Sequence, residues 1–250
     1  GPTWREPTSG LRRRARGRRR VTRAPRRDTI GFPNVALARI TVLVSGRGSN
    51  LGALLAAERA GAFRGSVTHV ISNRPGAGAL DIARAFGVST EVVDHRAYAT
   101  REAFDAAIVA AIDRSEPDLV VLAGFMRVLG RDAVEHYAGR LVNIHPSLLP
   151  AYPGLHTHRR AIADGAAMHG CTVHFVTPEV DVGPIIAQSA LPVRSDDDEA
   201  SLAERVLELE HKLLPAAVGW FCAGRLVVDG TRVRIVDDLA DATPSPGTVS

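Results

Sequence analysis

Two cysteines, Cys171 and Cys222, are all that the 250 residues contain. Each sits alone in an apolar stretch, which excludes a disulfide scaffold and a CxxC redox or zinc site. Both read as buried, reduced thiols of a cytosolic-type protein. No apolar run reaches the roughly 18 residues of a membrane-spanning helix, so no spanning segment is expected. HExxH is absent, and Ser147 lies outside any GxSxG elbow, which argues against a zinc protease and a serine hydrolase. His156 and His158 could pair on a metal, but a catalytic zinc needs a third ligand and an open position. The dinucleotide fingerprint is incomplete as well. Gly46 and Gly48 fit its first two glycines, but Leu51 stands where a third belongs, and no acid follows in the ribose position.

Charge of one sign is nearly missing from the start of the chain. Residues 1–39 hold 12 Arg against Glu6 and Asp28, while the remainder holds 19 basic and 25 acidic residues. The sequence pI of about 9.7 therefore belongs to the arm. A block such as LRRRARGRRR (11–20) has little to bury and is expected to be disordered. It lacks the interleaved aromatics that stack on bases. A non-catalytic extension is the expectation, with an organelle address or a nucleic-acid role as alternatives. The compartment expected is cytoplasmic, or organellar if the arm is an address. Residues 237–250, rich in Pro and Ser, are expected to form a flexible tail.

Between these ends, short apolar runs alternate with helical patterns. Strands are expected at 40–45, 67–72, 90–93, 118–123, 141–145, 171–176 and 185–191. Helices are expected at 51–59, 79–86, 100–115, 131–136, 158–165 and 200–221, the last capped by the acids at 196–199. A hairpin is expected at 224–236, turning at Asp229-Gly230. The fold class that follows is α/β: a Rossmann-like, open, mostly parallel twisted sheet with helices on both faces, a single domain over 40–236, with a small C-terminal hairpin.

Two stretches carry candidate chemistry. GRGSN (46–50) joins a strand to a helix, where backbone N–H groups can meet a phosphate, with Ser49 and Asn50 as N-cap types. The strand 141–145 ends in Asn143 and His145, which share a face, before Pro146 and Pro150 break the pairing. Such strand ends form the active edge of an open α/β sheet. Asp181, in a turn beside Gly183 and Pro184, reads first as a turn aspartate; the alternative is a carboxylate that orients His145 or accepts a proton.

Together, VSGRGSN (44–50), DLVVLAGFMRVL (118–129), NIHPSLLPAYPGLHTH (143–158), TVHFV (172–176) and EVDVGPII (179–186) resemble the folate-dependent phosphoribosylglycinamide formyltransferases of purine (IMP) synthesis. The resemblance runs from residue 40 to about 229. It implies catalytic roles for Asn143, His145 and Asp181, with His156 and His174 supporting. Gly48, Ser49, Asn50, Leu51, Gly52 and Glu210 would hold the phosphoribosyl substrate. Arg101, Met126, Arg127, Val128, Leu129, Asn143, Thr177, Pro178, Glu179, Val180 and Asp181 would line the folate pocket. Val182 departs from the small residue of many relatives, and the Arg-rich arm lies outside the likeness.

The resemblance further implies direct formyl transfer from 10-formyltetrahydrofolate, a cosubstrate, to the amine of 5'-phosphoribosylglycinamide, with no metal and no tightly bound cofactor. Asn143 and a protonated His145 would hold the oxyanion. Asp181 would stabilise that imidazolium and take a proton. The chain would act as a monomer or homodimer, away from membranes and nucleic acid. Formyltetrahydrofolate hydrolase, methionyl-tRNA formyltransferase and a non-catalytic nucleotide-binding module are the rivals.

Overall fold

Strand β2 (Ala38–Val44) is apolar on both sides because helices cover both sides of it. Ile40, Val42 and Val44 enter one core cluster and Leu43 enters another. Strand β5 (Leu119–Leu122) alternates likewise, with Leu119 and Val121 on the first face and Val120 and Leu122 on the second. A continuous apolar run is thus two buried faces read in turn. The computed structural model describes residues 29–30 and 37–237.

The other strands are β1 (Thr29–Ile30), β3 (Gly65–Ser72), β4 (Ser89–Val92), β6 (Leu141–His145), β7 (Met168–Phe175), β8 (Ile185–Pro192), β9 (Leu226–Asp229) and β10 (Arg232–Ile235). All lie in one sheet, ordered β1-β9-β10-β8-β7-β6-β5-β2-β3-β4. From β4 through β6 the neighbours are parallel, whereas β7 is antiparallel to both β6 and β8. The helices are α1 (Ser49–Arg59), α2 (Gly78–Ala85), α3 (Arg101–Arg114), α4 (Arg131–His136), α5 (Thr157–Ala163) and α6 (Glu199–Cys222). Helices α1, α2 and α6 pack on the first face, and α3 and α4 on the second. The long helix α6 opens with a capping box between Asp198 and Ser201 and carries Pro215 in its interior, which helical periodicity does not signal.

Strand β2 pairs with β3 on one side and β5 on the other, so the chain reverses direction of travel across the sheet between β2 and β5. A crevice forms outside the carboxyl ends at such a point. The segments after β2, β5 and β6 all leave from that edge. Both cysteines are buried and free, and burial pushes each thiol up to about 12.

Two expectations change. Thr29–Ile30, inside the stretch expected to be disordered, pairs antiparallel with Leu226 and Val227, and β2 already starts at Ala38. The rest of the expected extension (1–28 and 31–36) and the tail at 238–250 lie outside the described residues. Helix α1 begins at Ser49, so Ser49 and Asn50 fall within it. Its N-cap is Gly48, in the left-handed region at φ 84° with no side-chain cap. A Cβ there would meet the Ala79 Cβ at 2.5 Å, so α2 packs too closely for any other residue. In α3, Asp105 is buried beside Phe104.

Candidate active site

Strand β6 delivers Asn143 and His145 to the same face, as its alternation requires. Directly across the ladder, Asn143 faces His174 of β7. The third component arrives from the loop after β7, where Asp181 adopts φ 57°. Its carboxylate stands between the two rings, with Oδ2 3.5 Å from His145 Nδ1 and Oδ1 3.7 Å from His174 Nε2. The Gly154 N–H donates to Asp181 Oδ2 at 2.8 Å. Gly183 ties the loop down, since a Cβ there would lie 1.8 Å from the Phe175 carbonyl oxygen. Asn143, His145 and Asp181, separated in the chain, therefore meet on one wall.

Backbone carbonyls decide where the ring protons sit. His145 Nε2 lies 3.0 Å from the Tyr152 carbonyl oxygen. A carbonyl only accepts, so Nε2 carries the proton and Nδ1 is the atom that faces Asp181. His174 Nδ1 donates to the Phe175 carbonyl at 2.9 Å. Burial holds His174 below the ordinary imidazole value, against the opposing pull of that carbonyl and of Asp181. Neutral His174 then offers a lone pair at Nε2, so the NH₂ end of Asn143 must face it, at 3.2 Å. One N–H of that amide is committed to His174 and the other remains for a ligand. His174 thus fixes which way the Asn143 amide faces.

These groups line a cleft of about 490 Å³. Of the residues expected on the folate side, Met126, Arg127, Val128, Leu129, Thr177, Pro178 and Val180 line it as well, and so does His156. Met126, Val128, Leu155 and Val180 are exposed apolar side chains among these lining residues. Such a concentration of apolar surface marks a binding region. Val182 is 69% exposed and does not line the cleft.

Two expected members lie elsewhere. Arg101 opens α3 and turns towards Asp105, one helical turn on, at 3.6 Å. It lines a separate surface hollow with Gly130 and Arg131. Glu179 points away from the cleft to Arg131, at 3.4 Å. The cleft also includes His158, noted in the sequence only as half of a histidine pair, and Glu199, which no expected site included. His158 Nδ1 lies 3.1 Å from Nε2 of fully buried His169, whose pKa burial, followed by the charges of His158 and His145, lowers to about 4. The Tyr152 carbonyl and Gly154 N–H are backbone groups, which leave no trace in side-chain identity.

The Gly-rich turn stands apart from this wall. Gly52 N–H donates to the Gly48 carbonyl at 2.8 Å, closing the first turn of α1 beside Ser49, Asn50 and Leu51. Asn50 Nδ2 donates to Glu210 Oε2 of α6 at 2.6 Å, with both residues over nine-tenths buried. Burial raises the Glu210 carboxyl above its usual range, and the bond from Asn50 opposes that rise. A carboxylate held here suits an amine or hydroxyl ligand near a phosphate bound at the helix start. None of these turn residues lines the 490 Å³ cleft, so the edge carries two adjoining regions of different chemistry.

The chain has clear relatives. The phosphoribosylglycinamide formyltransferase of Escherichia coli (strain K12) is 49% identical over 187 residues, covering 75% of this chain and 88% of that protein. Glycinamide ribonucleotide transformylase 1 from Symbiobacterium toebii superposes with a TM-score of 0.79 at 47% identity, covering 80% of this chain and 95% of that one. A formyltetrahydrofolate deformylase from Pseudomonas syringae pv. tomato superposes with a TM-score of 0.75 at 25% identity, covering 80% of this chain and 66% of that one. Residues 38–218 match the family described as Formyl transferase, and the chain belongs to that family.

Proposed function

We infer that the protein transfers the formyl group of 10-formyltetrahydrofolate to the amine of 5'-phosphoribosylglycinamide, in purine synthesis. The observation that carries the reading is the meeting of Asn143, His145 and Asp181 on the wall of an apolar-mouthed cleft, with a Gly-rich strand-to-helix turn along the same edge. The folate fills the cleft as formyl donor and cosubstrate. The phosphate of the acceptor sits on the turn 46–50, and Glu210 holds its glycinamide portion.

The amine nitrogen attacks the formyl carbon, a new C–N bond forms, and negative charge develops on the formyl oxygen. The free N–H of Asn143 and the Nδ1–H of protonated His145 donate to that oxygen. In other acyl transfers, loss of one such donor raises the barrier by roughly 3–4 kcal/mol. Asp181 accepts the amine proton through a water. The bond from carbon to the folate nitrogen then breaks, and that nitrogen leaves with a proton. His145 keeps its orientation throughout because Nε2–H stays on the Tyr152 carbonyl. Holding both substrates along one edge contributes the proximity term.

Water in place of the amine would make the protein a hydrolase, which the likeness to the deformylase keeps in view. The higher identity to the transformylases and the buried Asn50–Glu210 pair support the amine acceptor. Purified protein is mixed with 10-formyltetrahydrofolate, with and without 5'-phosphoribosylglycinamide, and the folate product is followed. Turnover only in the presence of the amine is expected. Equal turnover without it would make the protein a hydrolase, and no turnover in either mixture would leave a binding module.

A further inference from the structure

Ser45 directly follows β2 and precedes the Gly-rich turn, and it is 2% exposed. Its hydroxyl has two partners from distant parts of the chain. It donates to Asn73 Oδ1 at 2.5 Å and accepts the Met126 backbone N–H at 2.7 Å. A hydroxyl has one proton and two lone pairs, so both bonds are made at once. Asn73 is fully buried, and its amide nitrogen lies 3.3 Å from His95 Nδ1. Met126 begins the segment 126–129 that lines the cleft. At the far end of that segment, Gly130 N–H donates to Asp105 Oδ2 at 2.8 Å. A Cβ on Gly130 would stand 2.7 Å from the same oxygen, so glycine is what lets the carboxylate come this close. The segment is therefore pinned at both ends by buried side chains that do not line the cleft. Of the two pins, only Ser45 adjoins the phosphate turn.

We propose that Ser45 is a positioning residue, fixing the cleft-lining segment 126–129 relative to the phosphate turn; the inference rests on the formyl-transfer reading above. Without the hydroxyl, the fully buried Asn73 Oδ1 and the part-buried Met126 N–H lose their partner, and the segment shifts to reach water or another acceptor. The turn itself keeps its own bonds, Gly52 N–H to the Gly48 carbonyl and Ala79 N–H to the Gly46 carbonyl. The effect thus falls on the folate side alone.

The test is Ser45→Ala, with steady-state kinetics for both substrates and amide hydrogen exchange of the peptide spanning 124–130. A rise of about tenfold in KM for 10-formyltetrahydrofolate is expected, the worth of one buried hydrogen bond. KM for 5'-phosphoribosylglycinamide should stay within about twofold. The 124–130 peptide should exchange faster while β6 does not. Equal rises in both KM values, or an unchanged folate KM with Met126 still protected, would overturn the proposal. If Ser45→Ala does not accumulate folded, Ser45→Cys, a slightly larger side chain with a weaker donor and acceptor, is held to the same outcomes. Exchange needs no substrate. A wild-type protein inactive towards the formyl donor would sink the reaction, while the exchange rate would still report whether the pin exists.

Discussion

The two sides of the catalytic edge are built differently. From β2 to β6 the strands are parallel, and the functional segments that follow β2 and β5 contribute largely through backbone and glycine: Gly48 at the helix start, Gly124 at φ 73°, Gly130 under Asp105. From 146 to 184 the chain is looped or antiparallel, and it contributes side chains. Of the four non-glycine residues with positive φ among the described residues, three lie there: Tyr152, His156 and Asp181. Such residues cost of order 1–3 kcal/mol each and persist where the surroundings over-determine them. Here the surroundings do so. The Thr172 hydroxyl donates to the Ser147 carbonyl and accepts from Leu149 N–H, while Gln188 donates to the Leu149 carbonyl. The turns after β2 and β5 form a frame of glycine and backbone groups, β6 ends in Asn143 and His145, and the looped half brings Asp181 and His174 against them.

That contrast breaks first at Asp181. Asp181→Asn keeps an acceptor for Gly154 N–H and suits φ 57°, since Asn tolerates the left-handed region. It should fold normally, bind the phosphate substrate normally and lose about 10²–10⁴-fold in kcat. A kcat near wild type would remove Asp181 from the reaction.

Glu210→Gln probes the frame side. The expected result is a rise of about tenfold in KM for 5'-phosphoribosylglycinamide, the scale of one charge-assisted hydrogen bond, with little change for folate. A shift confined to folate would reverse the assignment of the two regions.

Acid stability is a smaller and separate effect, seated in the looped half. His169 takes a proton near pH 4 in the fold, while an unfolded imidazole takes one near 6.5. Between those values the unfolded chain binds more protons, so stability falls as pH drops from about 6.5 to about 4. His158 and His174, also lowered, act in the same direction. His169→Gln should flatten this acid-side fall in the melting temperature measured against pH. An unchanged slope would place the loss in other groups.

The smallest effect is expected from removing residues 1–28. With Thr29–Ile30 kept for its pairing with β9, kcat and both KM values should match the full chain. A large loss would give the Arg-rich arm a part in the site.

Much of this was legible beforehand. The bounds of α4 and β6 agree with expectation, because each is closed by sharp local signals: Gly130 before one and Pro146 after the other. The start of α1 was misread because Ser49 and Asn50 are good caps, whereas the true cap is chosen by the Gly48–Ala79 approach. Arg101 does not line the cleft in this structure, because α3 carries a buried acid one turn along and an arginine at that spacing pairs within its own helix.

The sequence by itself determined most of the strands and helices, the Gly-rich turn after β2 and the shared face of Asn143 and His145, since each follows from periodicity or from a residue's own φ preference. Only the tertiary structure decided that Asp181 reaches between two histidines, that Tyr152 and Phe175 carbonyls fix which ring nitrogen is protonated, and that Ser45 holds Met126. Those are contacts between elements far apart in the chain. They depend on how whole faces pack, and no local pattern encodes them.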